Sequence, residues 1–198
     1  MKIKKALISV YDKKNIKPLL KILNKLKVDL ISSGGTYKKI KKLGFKCQEA
    51  SNFTNSPEIL EGRVKTFHPK IYGGILSKRN NKSHKKDLKK NKFNEIDLVV
   101  VNFYPFEEVL NKSHSHSKII ENIDIGGPSM ARAAAKNYKF VAVVTNPNQY
   151  SQLVEELKKN NGKTTLNFRK LLSSEAFLET GYYDSVISNF FSKLSKNE

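Results

Sequence analysis

The stretch IDLVVVNFYPF, residues Ile96–Phe106, decides how the rest of the chain is read. After Asp97 it runs Leu98-Val99-Val100-Val101 without a polar residue, reaches Asn102, and meets a ladder-stopping proline at Pro105. A strand with one wet face alternates apolar and polar residues. An uninterrupted apolar run fits a strand covered on both faces, the condition of a parallel sheet between helices.

Working outward, the same architecture recurs. Ala6–Val10 is a short apolar run, and Asp12 is the expected N-cap of a helix whose apolar positions Ile16, Leu19, Leu20, Leu23 and Leu26 step by three and four. VDLISSGGT then predicts a brief strand ending in a glycine turn, and YKKIKKLG a helix that stops at Gly44. Downstream, FVAVVTNP reads as another buried strand and Gln149–Lys159 as another helix; from Phe168 onward the pattern predicts one long helix or two. Strands alternating with helices argue for an α/β fold. Residues 51–80, with Pro57 and Pro69, read mainly as functional loops. Lys85–Lys92 is expected as an exposed helix and NKSHSHS as a polar loop. IIENIDIGGPSMARAAAKN predicts a glycine turn, Pro128 at the first helical position, and an alanine-rich helix. No repeat or linker interrupts residues 1–198, so one domain is expected.

Of the 198 residues, 37 are Lys or Arg and 18 Asp or Glu, a net charge of +19. That excess has two readings, a nucleic-acid surface or a lysine-biased composition around a small anionic substrate. Lysines are spread along the whole length, and the densest run, SKRNNKSHKKDLKKNKF, carries one aromatic residue at its end. The second reading is therefore taken, with no specific nucleic acid as partner. No apolar run approaches the roughly 20 residues of a membrane span, and MKIKKALISVYDKK reads as a first strand rather than a leader. The single cysteine, Cys47, has no partner for an internal disulfide. A cytoplasmic protein is expected.

Four stretches carry chemistry. SSGGT, between a strand and a helix, exposes backbone N–H groups at a helix start, where Ser33, Gly34, Gly35 and Thr36 suit a phosphate; it also reads as nothing more than a turn. In GRVKTFHP, Arg63 suits a two-pronged grip on an anion and Lys65 a point charge, and an extended segment would put both on one side. A solvated basic loop is the other reading. Nearby Gly62, Gly73 and Gly74 suggest close backbone approaches. Asn102 and Tyr104 stand at the carboxyl end of a buried strand, where open sheets of this class bind ligands. Asp124 precedes Gly126-Gly127 at a helix start, a place to orient a substrate nitrogen beside N–H groups for an oxyanion. Lys136, near the far end of the same helix, is a site candidate or an ordinary surface lysine. His114 and His116 have no third ligand, and no metal site is expected.

Taken in order, SVYDK, SSGGT, EGRVKTFHPKIYGGIL, VVVNFYPF, IDIGGPSMARAAAKN and VVTNP resemble the inosine monophosphate cyclohydrolase domain of the bifunctional purine biosynthesis enzymes, from about Lys5 to the C-terminus. The resemblance implies a three-layer α/β/α parallel sheet of the methylglyoxal-synthase-like kind. It implies dehydrative closure of a formamido-imidazole carboxamide ribonucleotide to inosine monophosphate, with no metal or cofactor. Ser9, Lys13, Ser33, Gly35 and Thr36 are implied as the ribose-phosphate pocket. Arg63, Thr66, Asn102, Gly126 and Gly127 are implied as further substrate contacts, and Lys65, Tyr104, Asp124 and Lys136 as catalytic. Lys14 and Asn15 depart from the family's usual threonine and glycine after its DK pair, and Tyr11 stands where serine is frequent. The family commonly forms homodimers, and the chain ends where its formyltransferase domain would begin. The alternatives are a non-catalytic domain of the same fold that senses a phosphorylated ligand, and a methylglyoxal synthase, whose own motifs are not matched. Asp124, Lys65 and Tyr104 together argue against sensing alone.

Overall fold

The computed structural model describes residues 1–195. Five strands form one all-parallel sheet in the order β3-β2-β1-β4-β5. They are β1 (Lys5–Val10), β2 (Asp29–Ser32), β3 (Gln48–Glu49), β4 (Leu98–Asn102) and β5 (Ala142–Val144). β1 lies at the centre, paired with β4 from Ala6↔Leu98 to Val10↔Asn102 and with β2 from Lys5↔Asp29 to Ile8↔Ser32. The apolar run read first is that inner strand: Leu98, Val99, Val100 and Val101 are all buried. Its polar start has a structural use. The Asp97 carboxylate accepts hydrogen bonds from the backbone N–H groups of Lys4 (2.9 Å) and Lys5 (3.0 Å) and pairs with Arg79, fixing where β1 enters the sheet.

Helices flank the sheet in a three-layer α/β/α arrangement. They are α1 (Ile16–Lys25), α2 (Gly34–Lys42), α3 (Ala50–Thr54), α4 (Pro69–Leu76), α5 (Lys82–Lys90), α6 (Phe106–Lys112), α7 (His116–Glu121), α8 (Gly126–Lys136), α9 (Tyr150–Lys159) and α10 (Leu166–Leu194). The helix α1 buries Ile16, Leu19, Leu20 and Leu23, the stripe its spacing predicts, and packs on α9. The alanine-rich α8 packs on β4 and is in turn covered by α4 and by α10, a single unbroken helix. A satellite cluster of Phe106, Ile119 and Phe190, with Tyr183 and Ile187 against it, ties α6 and α7 to the far half of α10. None of the described helices is long and apolar enough to cross a membrane.

Several local expectations change. Asp12 is not the N-cap of α1: its carboxylate accepts from Lys14 N–H, and Asn15, in the left-handed region, precedes the helix. Residues 51–80 are not mainly loop. Pro69 opens α4 as its first residue, with His68 Nδ1 accepting from Lys70 N–H, so a residue read as a breaker is a helix starter. NKSHSHS spans the end of α6, a short connection and the start of α7, and Pro128 stands two residues inside α8. Gly73 and Gly74 serve packing. A Cβ on Gly74 would lie 2.5 Å from the Asn94 carbonyl oxygen, so α4 rests directly on the backbone leading into β4.

From β1 the chain steps outward through β2 to β3, then returns to the other side of β1 for β4. Neighbouring carboxyl ends at such a reversal lead their chains apart and leave a crevice between them.

Candidate active site

That crevice, about 720 Å³, opens at the carboxyl ends of β1, β2 and β4. Ser9, Lys13, Ser33, Gly34, Gly35, Thr36, Arg63, Lys65, Thr66, Asn102, Tyr104, Asp124, Gly126 and Gly127 all line it. Residues more than a hundred positions apart in sequence thus face one space.

On the β2 side the first turn of α2 points its N–H groups into the crevice. Gly34 takes the left-handed backbone (φ 51°) that lets the chain turn from β2 into a helix at once. The first N–H groups of a helix have no partner within it. Ser33, at the N-cap, is 3% exposed, and its hydroxyl has no hydrogen-bond partner among the described residues. A buried hydroxyl beside free N–H groups is a donor set for an anion. Lys13 completes it: its ammonium donates to the Tyr11 carbonyl (2.8 Å) and lies beside Gly35, where a Cβ would come within 3.8 Å of Nζ. Burial pulls the Lys13 pKa down and the neighbouring Asp12 carboxylate opposes the shift.

Two residues expected to bind substrate have side chains occupied by the protein. Thr36 Oγ1 accepts from Val10 N–H (3.0 Å) and donates to the Val10 carbonyl (2.8 Å), bolting α2 to the end of β1. Asn102 Oδ1 accepts from the N–H groups of Tyr11 (2.6 Å) and Asp12 (2.9 Å), and its amide donates to the Asp12 carbonyl (2.9 Å). Asn102 therefore shapes the loop that carries Lys13, and Thr36 has only its backbone N–H to offer a ligand.

On the β4 side stands Asp124, at the start of α8. Its Oδ1 accepts from Gly127 N–H (2.9 Å) and its Oδ2 from Tyr104 N–H (3.3 Å). Gly127 must be glycine for this: a Cβ there would sit 2.5 Å from Asp124 Oδ2 and 3.0 Å from Phe103. Burial pushes the carboxyl pKa up, while the Gly127 and Tyr104 N–H groups and the Lys65 ammonium hold it back. The net direction is upward, which makes the carboxylate a readier proton acceptor than a free one.

The segment before α4 is a tight turn, not the extended segment expected. Leu60, Glu61 and Gly62 all have positive φ, and Ile59 bridges Val64 in antiparallel fashion. The turn brings Lys65 Nζ back to the Gly62 carbonyl (3.0 Å). It sends Arg63 outward, where the guanidinium grips Glu121 in two-pronged fashion, Nη2 to Oε2 at 2.7 Å and Nε to Oε1 at 3.2 Å. Both partners are well exposed (62% and 59%). The hydrogen bond from Arg63 lowers the Glu121 pKa. Arg63 is an anion clamp already holding a carboxylate of its own chain.

Lys136 is not brought to the crevice. It is exposed at the last turn of α8, ten residues past Gly126, or about 15 Å along the axis. A lysine there suits the negative end of the helix, which is reason enough for its presence.

Two neighbours of the site were invisible to sequence reasoning: Glu121, the partner of Arg63, and Tyr183, whose hydroxyl accepts from Asp124 N–H; no short-range pattern marks either. Tyr11, left out of the site because it stands where serine is frequent in the family, does line the crevice, and its ring meets Tyr104 edge-on at 5.6 Å. Beyond the Tyr11–Tyr104 pair lies a second crevice, bounded also by Glu107, Glu179 and Tyr182. Among the described residues no cluster of three or more His, Cys, Asp or Glu side chains is placed to hold a metal ion.

Comparison with known proteins adds the following. Residues 15–129 match the MGS-like domain family, and residues 134–198 match the AICARFT/IMPCHase bienzyme family. Proteins named bifunctional purine biosynthesis protein PurH are 50% identical in Prochlorococcus marinus and in Clostridioides difficile, each over 95% of this chain. The PurH of Agrobacterium fabrum is 46% identical over 98% of it. The chain spans only 36% of the length of these relatives. Among solved structures, the crystal structure of ForH superposes with a TM-score of 0.85 at 29% identity, covering 96% of this chain and 97% of that one.

Proposed function

The chain belongs to the MGS-like domain family, and from that membership and the geometry of the crevice we propose that it is an inosine monophosphate cyclohydrolase, acting in purine biosynthesis. The observation that carries the reading is the pairing, in one crevice, of an anion cradle at α2 with the half-buried Asp124 carboxylate at the start of α8 and the Lys65 ammonium from the turn before α4. A sensor of phosphorylated ligands needs the first and has no use for the second.

In this reading the substrate is 5-formamidoimidazole-4-carboxamide ribonucleotide. Its phosphate lies on the N–H groups of Gly34, Gly35 and Thr36, with the Ser33 hydroxyl and Lys13 beside it. The imidazole then extends towards β4. The carboxamide nitrogen forms a bond to the formyl carbon while Asp124 takes one of its protons. The formyl carbonyl becomes an oxyanion, stabilised by the Lys65 ammonium, and takes up the proton that Asp124 holds to give a carbinolamine. Asp124 then takes the proton of the former formamide nitrogen and passes it to the departing hydroxyl, which leaves as water as the ring C=N bond forms. Both reacting groups belong to one molecule, so holding them within attack distance supplies much of the acceleration. Removing one oxyanion donor from such a site typically costs about 100- to 1,000-fold in turnover.

The formyl transfer that makes this substrate is assigned to the part of the bifunctional relatives that this chain does not span. A homodimer is part of the same reading. The test is direct: purified protein is mixed with the formamido ribonucleotide and inosine monophosphate is followed, with Asp124→Asn as control. Product with wild type and a loss of at least about 100-fold in the variant support the reading. Nucleotide binding without product would replace it with ligand sensing.

A further inference from the structure

We infer that Tyr183, on the C-terminal helix α10, is a positioning residue that sets the direction of the Asp124 carboxylate. This rests on the cyclohydrolase reading of the site. Three observations carry it. The Tyr183 hydroxyl accepts from Asp124 N–H at 2.8 Å and donates to the Asn122 carbonyl at 3.1 Å, so one oxygen clamps the backbone on both sides of Ile123. The ring is held in turn, edge-on to Phe103 at 5.2 Å and to Phe106 at 6.4 Å. Phe103 adjoins Tyr104, whose N–H is one of the two donors to Asp124. Tyr183 thus touches both the backbone that carries the carboxylate and the segment that receives it. Burial pushes its own pKa up to about 12, so the hydroxyl remains a donor at neutral pH.

Backbone bonds from Asn122 N–H to the Ile119 carbonyl (3.1 Å) and from Ile123 N–H to the Ile120 carbonyl (3.0 Å) tie the chain to α7 as far as Ile123, and at Asp124 the Tyr183 hydroxyl takes over as acceptor. The connection from α7 to α8 is Asn122–Ile125, and Ile125 is largely exposed. The carboxylate keeps its bonds to Gly127 and Tyr104 only while this backbone holds its angle. No other side chain of the described residues hydrogen-bonds the backbone of residues 122–124. The groups whose charge or dipole bears on Asp124 are the Gly127 and Gly126 N–H groups of α8, Tyr104 from the segment after β4, Lys65 from the turn before α4, Tyr72 from α4, and Tyr183. Only Tyr183 acts on the backbone ahead of it.

Tyr183→Phe tests this, since it removes the oxygen and keeps the ring packing. Tyr182→Phe is the control; it deletes a neighbouring hydroxyl whose partner is Glu107. For Tyr183→Phe, kcat should fall about tenfold or more while KM stays within about twofold. The acid limb of the kcat profile should move to higher pH, because weaker N–H donation to the carboxylate favours its protonated form. Tyr182→Phe should match wild type. All assays are run well below the melting midpoint of each variant, with the folded fraction counted by inosine monophosphate binding. Wild-type kcat and an unmoved acid limb in Tyr183→Phe would overturn the inference. So would a loss of rate that vanishes on correction for folded fraction. If wild type itself makes no product, the cyclohydrolase reading fails on its own. Titration of the Asp124 carboxyl by carbon-13 NMR then still decides the role of Tyr183, through a higher midpoint in Tyr183→Phe or the same midpoint as wild type.

Discussion

Gly127→Ala should separate turnover from folding more cleanly than any other single change. The backbone of Gly127 lies outside the left-handed region, so alanine brings no backbone strain, and the effect comes from contact alone. The new methyl would stand 2.5 Å from Asp124 Oδ2 and 3.0 Å from the Phe103 ring. Ordinary contact needs about 0.9 Å more at the carboxylate. Phe103 is pinned against Tyr183, so Asp124 is the group that yields. A displacement of that size breaks the bond from Gly127 N–H or the bond from Tyr104 N–H. Misplacing a reacting group by about 1 Å costs on the order of 100-fold in rate. Overpacking of this kind costs about 1–3 kcal/mol of stability, which leaves a folded protein. The assay is steady-state formation of inosine monophosphate beside chemical denaturation, with Gly126→Ala as comparator. A methyl on Gly126 meets only Thr66 Oγ1 at 3.2 Å, a contact that a shift of a few tenths of an ångström relieves. The expected order is a loss of about 100-fold for Gly127→Ala and a much smaller loss for Gly126→Ala. Equal activity in the two variants would refute the argument that the bare Cα of Gly127 exists to seat the carboxylate.

Three further outcomes are expected. Lys65→Met should lower kcat by about 100- to 1,000-fold with little change in KM, whereas Lys136→Met should stay near wild type because its side chain lies at the far end of α8; a large loss for Lys136→Met in the same assay would contradict that placement. The raised pKa of Asp124 makes its contribution to stability largest below the ordinary value of 3.8 and lost as pH rises through the folded-state value. Denaturation at pH 4 and pH 7 should therefore show wild type losing ground to Asp124→Asn at the higher pH, and the opposite trend would show that the carboxyl is not held in a desolvated place. Glu121→Gln frees the Arg63 guanidinium and should lower KM for the ribonucleotide, with Arg63→Ala raising it; an unchanged KM in both would confine the pair to the rim.

What the sequence disclosed follows from the range of each interaction. The inner strand β4 was legible because burial on both faces writes an apolar run directly into Leu98–Val101. The α1 stripe was legible for the same reason in helical period. Short helices were not: α6 and α7 are polar over most of their length, and too few turns leave no periodic signal. Pro69 misled because proline both breaks helices and starts them, and only the His68 cap distinguishes the two. The Arg63 region was read as extended because nothing local announces three successive left-handed residues, one of them Leu60. Within the site, residue types at strand ends and glycine turns pointed to the crevice, but not to what each side chain does there. Asn102 and Thr36 look like ligand groups in sequence, and their polar atoms are consumed by Tyr11, Asp12 and Val10. Tyr183 lies 59 positions from Asp124, on a helix whose pattern looks the same whether its hydroxyl is used or not.

The central claim is that the N-terminus of α2 and the carboxylate at the start of α8 serve one molecule. A crystal structure of the protein with inosine monophosphate tests it most directly. The account predicts the phosphate on the N–H groups of Gly34, Gly35 and Thr36, close to the Ser33 hydroxyl and Lys13, and the newly closed edge of the purine within hydrogen-bond reach of Asp124 and Lys65. A purine lodged beyond the Tyr11–Tyr104 pair, in the crevice bounded by Glu107 and Glu179, or a phosphate held by Arg63 in place of α2, would contradict it.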